Sequence, residues 1–353
     1  MNDLLQAGVY YLIAFFASLL VYFLAVLLIV HLKTSSTEKR KTVLRKSYDD
    51  VVAVYETTGR NHFDKYRKFR THLGVMVLDE LLQDAATPHT QIIKTLIADS
   101  TYDKYVLKLF RSRDALTKIF AVKMIADLSF AQCNDLLLKM VLQESDNADL
   151  QYHAIMALSR LGDERALIKI FCEEKFSQKL TFRSLQEILK AYAGDKGRLY
   201  WILLEAPDPY IRRICIKRIG TEGIQRLSGF LIPYLSNEDY NIAIDAVRSL
   251  GQLKYGDALP KIEELTAHPR WEVRAACINA LAQIDLQSEI GFITSGLFDK
   301  EWWVRRNAAA AAVNYEPLRD IVKYIVDSDD RFAKEILAAA IKKKELLERG
   351  GLI

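Results

Sequence analysis

Hydrophobic and polar positions follow two regimes along this chain. From Leu4 to Leu32 there is no Asp, Glu, Lys or Arg, and the strongly apolar part occupies residues 9–32. As an α-helix that part rises about 36 Å, enough to cross a hydrocarbon core of about 30 Å with some tilt. It has no polar face, so the pattern predicts one transmembrane helix rather than an amphipathic surface helix. A cleaved signal peptide, which needs a basic start and a shorter apolar stretch, and a buried core helix are the alternatives.

Beyond residue 100 the pattern becomes periodic. Trp271-Glu272-Val273-Arg274-Ala275-Ala276 and Trp302-Trp303-Val304-Arg305-Arg306-Asn307 match when Trp271 is laid on Trp302. The same register reaches back through Tyr240-Asn241-Ile242-Ala243, Tyr210-Ile211-Arg212-Arg213, Phe182-Arg183, Leu150-Gln151 and Thr117-Lys118, and forward to Ala333-Lys334. The markers fall near 118, 151, 182, 212, 243, 274, 305 and 334, a nearly even step that marks a repeat array. Each unit has room for two helices: residues 260–265 form one, and 271–284 the next. Val273, Cys277, Ala280, Leu281 and Ile284 make the buried face at three-to-four spacing. Gly162 and Gly220 look like helix C-caps. Asp208-Pro209, Asn237-Glu238-Asp239 and His268-Pro269 look like openings of second helices. One pair cannot bury its own apolar faces, so neighbours must stack into a solenoid. Residues 69–82 read as an amphipathic helix without a convincing repeat copy.

The Leu161-Gly162-Asp163 turn, the Val273-Arg274 and Val304-Arg305 pairs and the Ala-rich helices after them resemble HEAT repeats, especially the short phycobilisome-lyase-type class. The resemblance covers about residues 100–345 and implies an all-α, right-handed α-solenoid of helix pairs, preceded here by one transmembrane helix. Units near 118 and 182 lack the Gly-Asp turn or the Val-Arg pair. The expected organisation is a short external N-terminus (1–8), the membrane helix (9–32), a basic juxtamembrane stalk with a degenerate helical cap (33–100) and the solenoid (101–353).

Charge sharpens this division. The chain of 353 residues carries a formal +4, yet residues 33–70 alone carry +6, and residues 71–353 carry −1. Lys33, Lys39, Arg40, Lys41, Arg45 and Lys46 form a basic cluster directly after the apolar run. Positive charge stays cytoplasmic, so the N-terminus is expected outside the cell membrane and the solenoid in the cytoplasm. The same cluster attracts anionic lipid headgroups. A nearly neutral solenoid argues against nucleic acid, which needs a basic surface.

Catalytic signatures are sparse. The resemblance brings in deoxyhypusine hydroxylase, whose His-Glu pairs hold iron. Here His31, His62, His72, His89, His153 and His268 are never followed by Glu, so no metal or other cofactor is expected. Cys133, Cys172, Cys215 and Cys277 include no Cys-x-x-Cys, and Cys215 and Cys277 sit two repeats apart at a small apolar core position. Tyr240, Trp271 and Trp302 share one repeat position, Trp303 adds a ring, and Arg274 and Arg305 follow their tryptophans by three residues. Such a column either braces adjacent repeats or forms a protein-binding strip with cation–π pairs.

The expected function is a non-catalytic, membrane-anchored scaffold. It would bind a partner protein, including an integral membrane one, as a subunit of a complex for transport, secretion or polysaccharide synthesis. Gly8, Ala14, Ala17, Ser18 and Ala25 give the membrane helix small positions for helix packing. A lyase-type enzyme acting on a protein-bound cofactor, as in the phycobilisome-lyase relatives, is the alternative.

Overall fold

A computed structural model describes residues 2–83, 88–143, 147–172 and 180–350; the side chains of 2–14, 17, 83, 88 and 350 are not described. No strand occurs among the described residues. The chain divides into two compact units, residues 1–133 and 134–353.

The N-terminal unit begins with one unbroken helix, α1 (Asn2–Thr58). Thr34, Thr37 and Thr42, weak helix formers, donate their hydroxyls to the carbonyls four residues earlier, at Val30, Lys33 and Glu38. The helix has two halves of opposite character. Phe15, Phe16, Leu19 to Leu24, Val26 to Val30 and Leu32 are all exposed. Leu44, Tyr48, Val51 and Val52, spaced for one helical face, are buried.

That face lies on α2 (His72–Gln83) and α3 (Pro88–Ala98), which α4 (Tyr102–Phe110) and α5 (Ala115–Asp127) follow. The core of this unit is aromatic. The Tyr48 ring stacks on Phe69 with centroids 3.9 Å apart, and Phe63 meets Tyr102 edge-on at 5.5 Å. Tyr48 donates its hydroxyl to the Gly74 carbonyl at 3.1 Å, so the buried phenol is satisfied. The helix expected over 69–82 starts at His72 instead: Thr71 is extended and its hydroxyl accepts from the Gly74 N–H at 3.1 Å, an N-cap. Phe69 belongs to a 3₁₀ turn, Arg67–Arg70, that turns its ring into the core.

The C-terminal unit is a run of helix pairs: α6 (Asn134–Leu142) with α7 (Ala148–Arg160), α8 (Glu164–Cys172) with α9 (Phe182–Ala191), and α10 (Lys196–Leu203) with α11 (Pro209–Thr221). Then come α12 (Ser228–Leu231), prolonged by a 3₁₀ turn, with α13 (Tyr240–Gln252), α14 (Leu259–Leu265) with α15 (Trp271–Asp285), α16 (Ile290–Gly296) with α17 (Trp302–Ala312), and α18 (Leu318–Val326) with α19 (Arg331–Gly350). Second helices pack directly side by side from α7 through α19. Ile211, Ile214, Cys215 and Ile219 of α11 are wholly buried, each large side chain contributing about 1.5–3 kcal/mol.

Asn147, Thr181, Asp208 and Asp239 cap α7, α9, α11 and α13 by accepting from backbone N–H groups of the first turn. At α15 the opening differs from the sequence expectation: Arg270 is the N-cap residue and supplies no side-chain bond, while His268 Nδ1 accepts from the Arg270 N–H at 3.1 Å. The C-caps recur. Gly162 is left-handed (φ +72°), with Gly162 N–H bonded to Ser159 O and Asp163 N–H to Leu158 O, as expected for a Schellman cap. The same pair of bonds forms at Gly223 (φ +68°) and at Lys254 (φ 51°).

Gly220 does not act as a cap. Helix α11 continues to Thr221, and Gly220 is the point where it approaches α13: a Cβ there would lie 2.6 Å from Ser249 Cα. Gly251, the equivalent position of the next repeat, meets Ala280 Cα in the same way at 2.9 Å.

These two kinds of position separate under mutation. Gly220→Ala is expected to destabilise by about 1–3 kcal/mol through overpacking. Lys254→Gly, which relieves a left-handed non-glycine residue, is expected to stabilise by about 0.5–1 kcal/mol. Urea unfolding followed by circular dichroism measures both, and equal effects of the two would refute the assignment.

Candidate functional site

The fourth residue of several second helices is an arginine, and its position fixes its partners. One turn into the helix, it looks back on the loop that enters it. Arg212 donates to the carbonyls of Ala206 (2.8 Å) and Pro207 (3.2 Å). Arg274 does the same to His268 (2.8 Å) and Pro269 (3.1 Å), and Arg305 donates to Asp299 O. Each arginine finds an acceptor six residues back, and Arg212 and Arg274 find a second five residues back.

Two of these arginines also reach the next repeat. Arg274 Nε and Nη2 bind Asp299 at 2.7 and 2.8 Å, a bidentate pair, and Arg305 binds Asp330 at 2.8 Å. Burial is the largest single influence on Asp299 and opposes its charge. The Arg274 hydrogen bond, the Glu301 N–H and the charges of Arg274 and Lys300 together outweigh it and hold the carboxyl below its ordinary pKa. The bond from Arg305, with the backbone N–H of Ala333, lowers Asp330 to about 2. The cation gains in turn: the Asp299 bond raises Arg274.

Arg274 and Arg305 therefore turn inward and make no cation–π pair with Trp271 and Trp302, contrary to the spacing argument. The rings are partnered by arginines that spacing passed over. Arg306 stands 5.7 Å from the Trp302 ring centroid and 5.4 Å from that of Trp303, and Arg270 stands 3.9 Å above Tyr240. The Trp302-Trp303 doublet offers two faces, and Arg306 is three or four residues from both. Trp271 stacks on Trp303 at 6.4 Å and 17°, and Trp302 meets Trp303 edge-on at 4.7 Å. Trp302 and Trp303 are 56% and 48% exposed, and Trp271 and Tyr240 are half-buried. The expected strip thus resolves into a surface of Tyr240, Arg270, Trp271, Trp302, Trp303 and Arg306 above an internal brace of Arg274 and Arg305.

A second aromatic surface was not visible in the repeat column. Trp201 of α10 and Phe230 of α12, both about half exposed, meet edge-on at 6.3 Å beside a groove of about 550 Å³. Tyr234 lines it and donates to the Leu204 carbonyl at 2.9 Å; burial pushes its phenol up to about 12.

The basic cluster after the apolar run also divides. Lys41 and Arg45 both bind Glu80 of α2, at 2.7 and 2.5 Å, and the Lys41 bond lowers the Glu80 carboxyl. Lys33, Lys39, Arg40 and Lys46 are exposed. Cys215 and Cys277 are fully buried, as the core-column reading expects. Burial raises all four thiols, Cys277 to about 12, which disfavours the thiolate needed of a nucleophile. Among the described residues no three His, Cys, Asp or Glu side chains gather where they would hold a metal ion.

Truncating Arg274 leaves Asp299 charged and nearly buried, so Arg274→Ala is expected to cost about 3 kcal/mol in urea unfolding. Acid separates the brace from the surface. Asp330 has a folded pKa of about 2 against an unfolded value of about 3.9. Its stabilisation is full above pH about 4 and is lost as pH falls toward 2. Melting temperatures between pH 5 and 2 should fall less steeply in Asp330→Asn than in the parent.

A family profile for HEAT repeats matches residues 198–269 and 228–314. No curated protein sequence matches the chain. Among solved structures, an engineered protein is similar at 15% identity over 84% of this chain and 98% of that one, with a TM-score of 0.37. Human deoxyhypusine hydroxylase in complex with glycerol is similar at 18% identity over 71% and 96%, TM-score 0.30. Importin beta is similar at 14% identity over 76% and 46%, TM-score 0.42. Residues 198–314 thus carry HEAT repeats, and the helix pairs of the C-terminal unit stack as an α-solenoid.

Proposed function

We propose that this protein is a membrane-anchored scaffold whose HEAT repeats hold a partner protein at the cytoplasmic face of the cell membrane. One observation carries the reading: an apolar, wholly exposed stretch of α1 continues without a break into a face locked in the core of the N-terminal unit. Among the described residues, α1 alone is long and apolar enough to cross a membrane. An exposed apolar surface of that length is costly in water and stable in lipid.

The buried face begins at Leu44, twelve residues beyond Leu32, a rise of about 18 Å. Exposed Lys33, Lys39 and Arg40 lie in that interval, where a cytoplasmic leaflet presents its headgroups. Lys46 extends the basic face, while Lys41 and Arg45 serve the fold through Glu80. Positive charge on this flank supports an external N-terminus.

The partner surface is the strip of Tyr240, Trp271, Trp302 and Trp303 with Arg270 and Arg306. Exposed Trp and Arg dominate binding hot spots, and nothing on the exposed faces of Trp302 and Trp303 is needed to bury the core. The anchor favours a partner that is itself an integral membrane protein, as in a non-catalytic subunit of a transport, secretion or polysaccharide-synthesising complex. The raised thiols give the lyase-type alternative no activated nucleophile.

Purification in mild detergent with quantitative mass spectrometry tests the scaffold. Trp302→Ala with Trp303→Ala should lower recovery of a stoichiometric membrane partner at least tenfold, with the melting temperature within about 2 °C of the parent. Unchanged recovery with a large loss of melting temperature would make the strip a brace. A membrane-impermeant thiol reagent should label a cysteine appended to the C-terminus only after the cells are permeabilised; labelling of intact cells would overturn the topology.

A further inference from the structure

A second groove crosses three of the second helices, away from the aromatic strip. Gln186 of α9, Lys217, Arg218 and Thr221 of α11, and Arg248, Ser249 and Gln252 of α13 line a cavity of about 360 Å³. The lining holds three cations and no carboxylate. Nearby acids neutralise it only in part. Asp245, buried, is shared by Arg213 at 2.7 Å and Lys217 at 3.4 Å. Glu222 is shared by Lys196 at 3.5 Å and Arg218 at 3.6 Å. Arg248 is exposed and forms no ion pair among the described residues. Lys190, one turn beyond Gln186 on α9, adds a further exposed cation. This positive concavity stands out in a stretch, residues 71–353, whose net charge is −1.

We propose that the groove binds an acidic segment of a partner protein. An Asp or Glu carboxylate there meets the Arg248 guanidinium, whose planar fork suits bidentate binding, and the Lys217 ammonium beside it. The same lining supplies neutral amides, Gln186 and exposed Gln252, that match the N–H and C=O groups of a peptide backbone. Nucleic acid is the poorer occupant, because tracking a phosphate backbone takes a longer row of cations than this pocket presents. A lipid bilayer is poorer still, since a concavity of this size cannot meet a flat array of headgroups. The site goes beyond the scaffold reading: it uses different side chains and does not depend on the membrane anchor.

The probe is a short fluorescent poly-glutamate peptide, titrated by anisotropy onto the full chain in detergent micelles. It should bind, weaken steeply as salt rises, and outcompete a poly-glutamine peptide of equal length. Arg248→Glu, a change at an exposed side chain, should weaken binding about tenfold or more while leaving the melting temperature unchanged. Gln252→Glu should act in the same direction, and Lys323→Glu, at an exposed residue of α18 outside both surfaces, should leave binding intact. Equal affinity in the parent and Arg248→Glu, or no binding at low salt, would overturn the proposal. So would tighter, Arg248-dependent capture of an RNA oligonucleotide or of phosphatidylserine vesicles.

Discussion

The entry to α11, α15 and α17 depends on a guanidinium at the fourth residue of the helix. From that point it satisfies carbonyls of the entering loop, which no intrahelical donor reaches. In α15 and α17 it also binds an aspartate of the loop that enters the next second helix. Asp299 in turn accepts from the Glu301 N–H at 2.9 Å, and Asp330 from the Ala333 N–H at 2.9 Å. Each aspartate thus ties an arginine of one repeat to the start of the next second helix. The chain of bonds sets how far successive helices are offset, and the buried Val273, Val304 and Ala308 fill the space so defined. The pairs are directional, so they fix orientation where apolar packing alone fixes only proximity.

With the arginines drawn inward, the residues preceding them take the outer surface. Trp271 and Trp302 occupy the first helical position, and Trp271 stacks across the repeat on Trp303, because the offset between α15 and α17 is set from beneath. The surface arginines, Arg270 and Arg306, then lie over rings instead of carboxylates. One set of arginines is structural and the other is available, and their neighbours decide which is which. A cation held by a buried carboxylate has little left for a partner, whereas one over an exposed ring keeps its donors free.

This explains which parts of the molecule could be read in advance. Helix pairs, their period and the buried face of α15 follow from local spacing, since one turn of helix relates residues three and four apart. The cap at Gly162 is local too. Gly220 misled because two demands call for glycine, a left-handed turn and a close helix crossing, and the second depends on Ser249 in another repeat. Phe69 misled because its apolar spacing is helical, while Thr71 breaks the helix to let the ring reach Tyr48. The marker near 182 falls on the first residue of α9, not the fourth, so the even register hides a displaced repeat there. Arg274 looked like a ring partner by spacing alone. Its true partner, Asp299, lies beyond the whole of α16, and no local pattern encodes that contact.

The unbroken course of α1 bears on the anchored scaffold we propose. A flexible tether lets the attached domain sample all orientations, so ordering it on a partner costs entropy at each encounter. Here the exposed apolar stretch and the buried face of residues 44–52 belong to one helix, and Tyr48 is clamped between Phe63 and Phe69 and hydrogen-bonded to Gly74. Lys41 and Arg45 add a second clamp on Glu80. The N-terminal unit is thereby joined to the apolar stretch without a flexible tether. The aromatic strip and the basic groove share α13: Tyr240 and Arg248 are eight residues, about 12 Å, apart along the helix. A partner engaging both would gain from the high effective concentration of the second contact once the first is made. Two modest contacts on one rigid element can then hold a complex that neither secures alone.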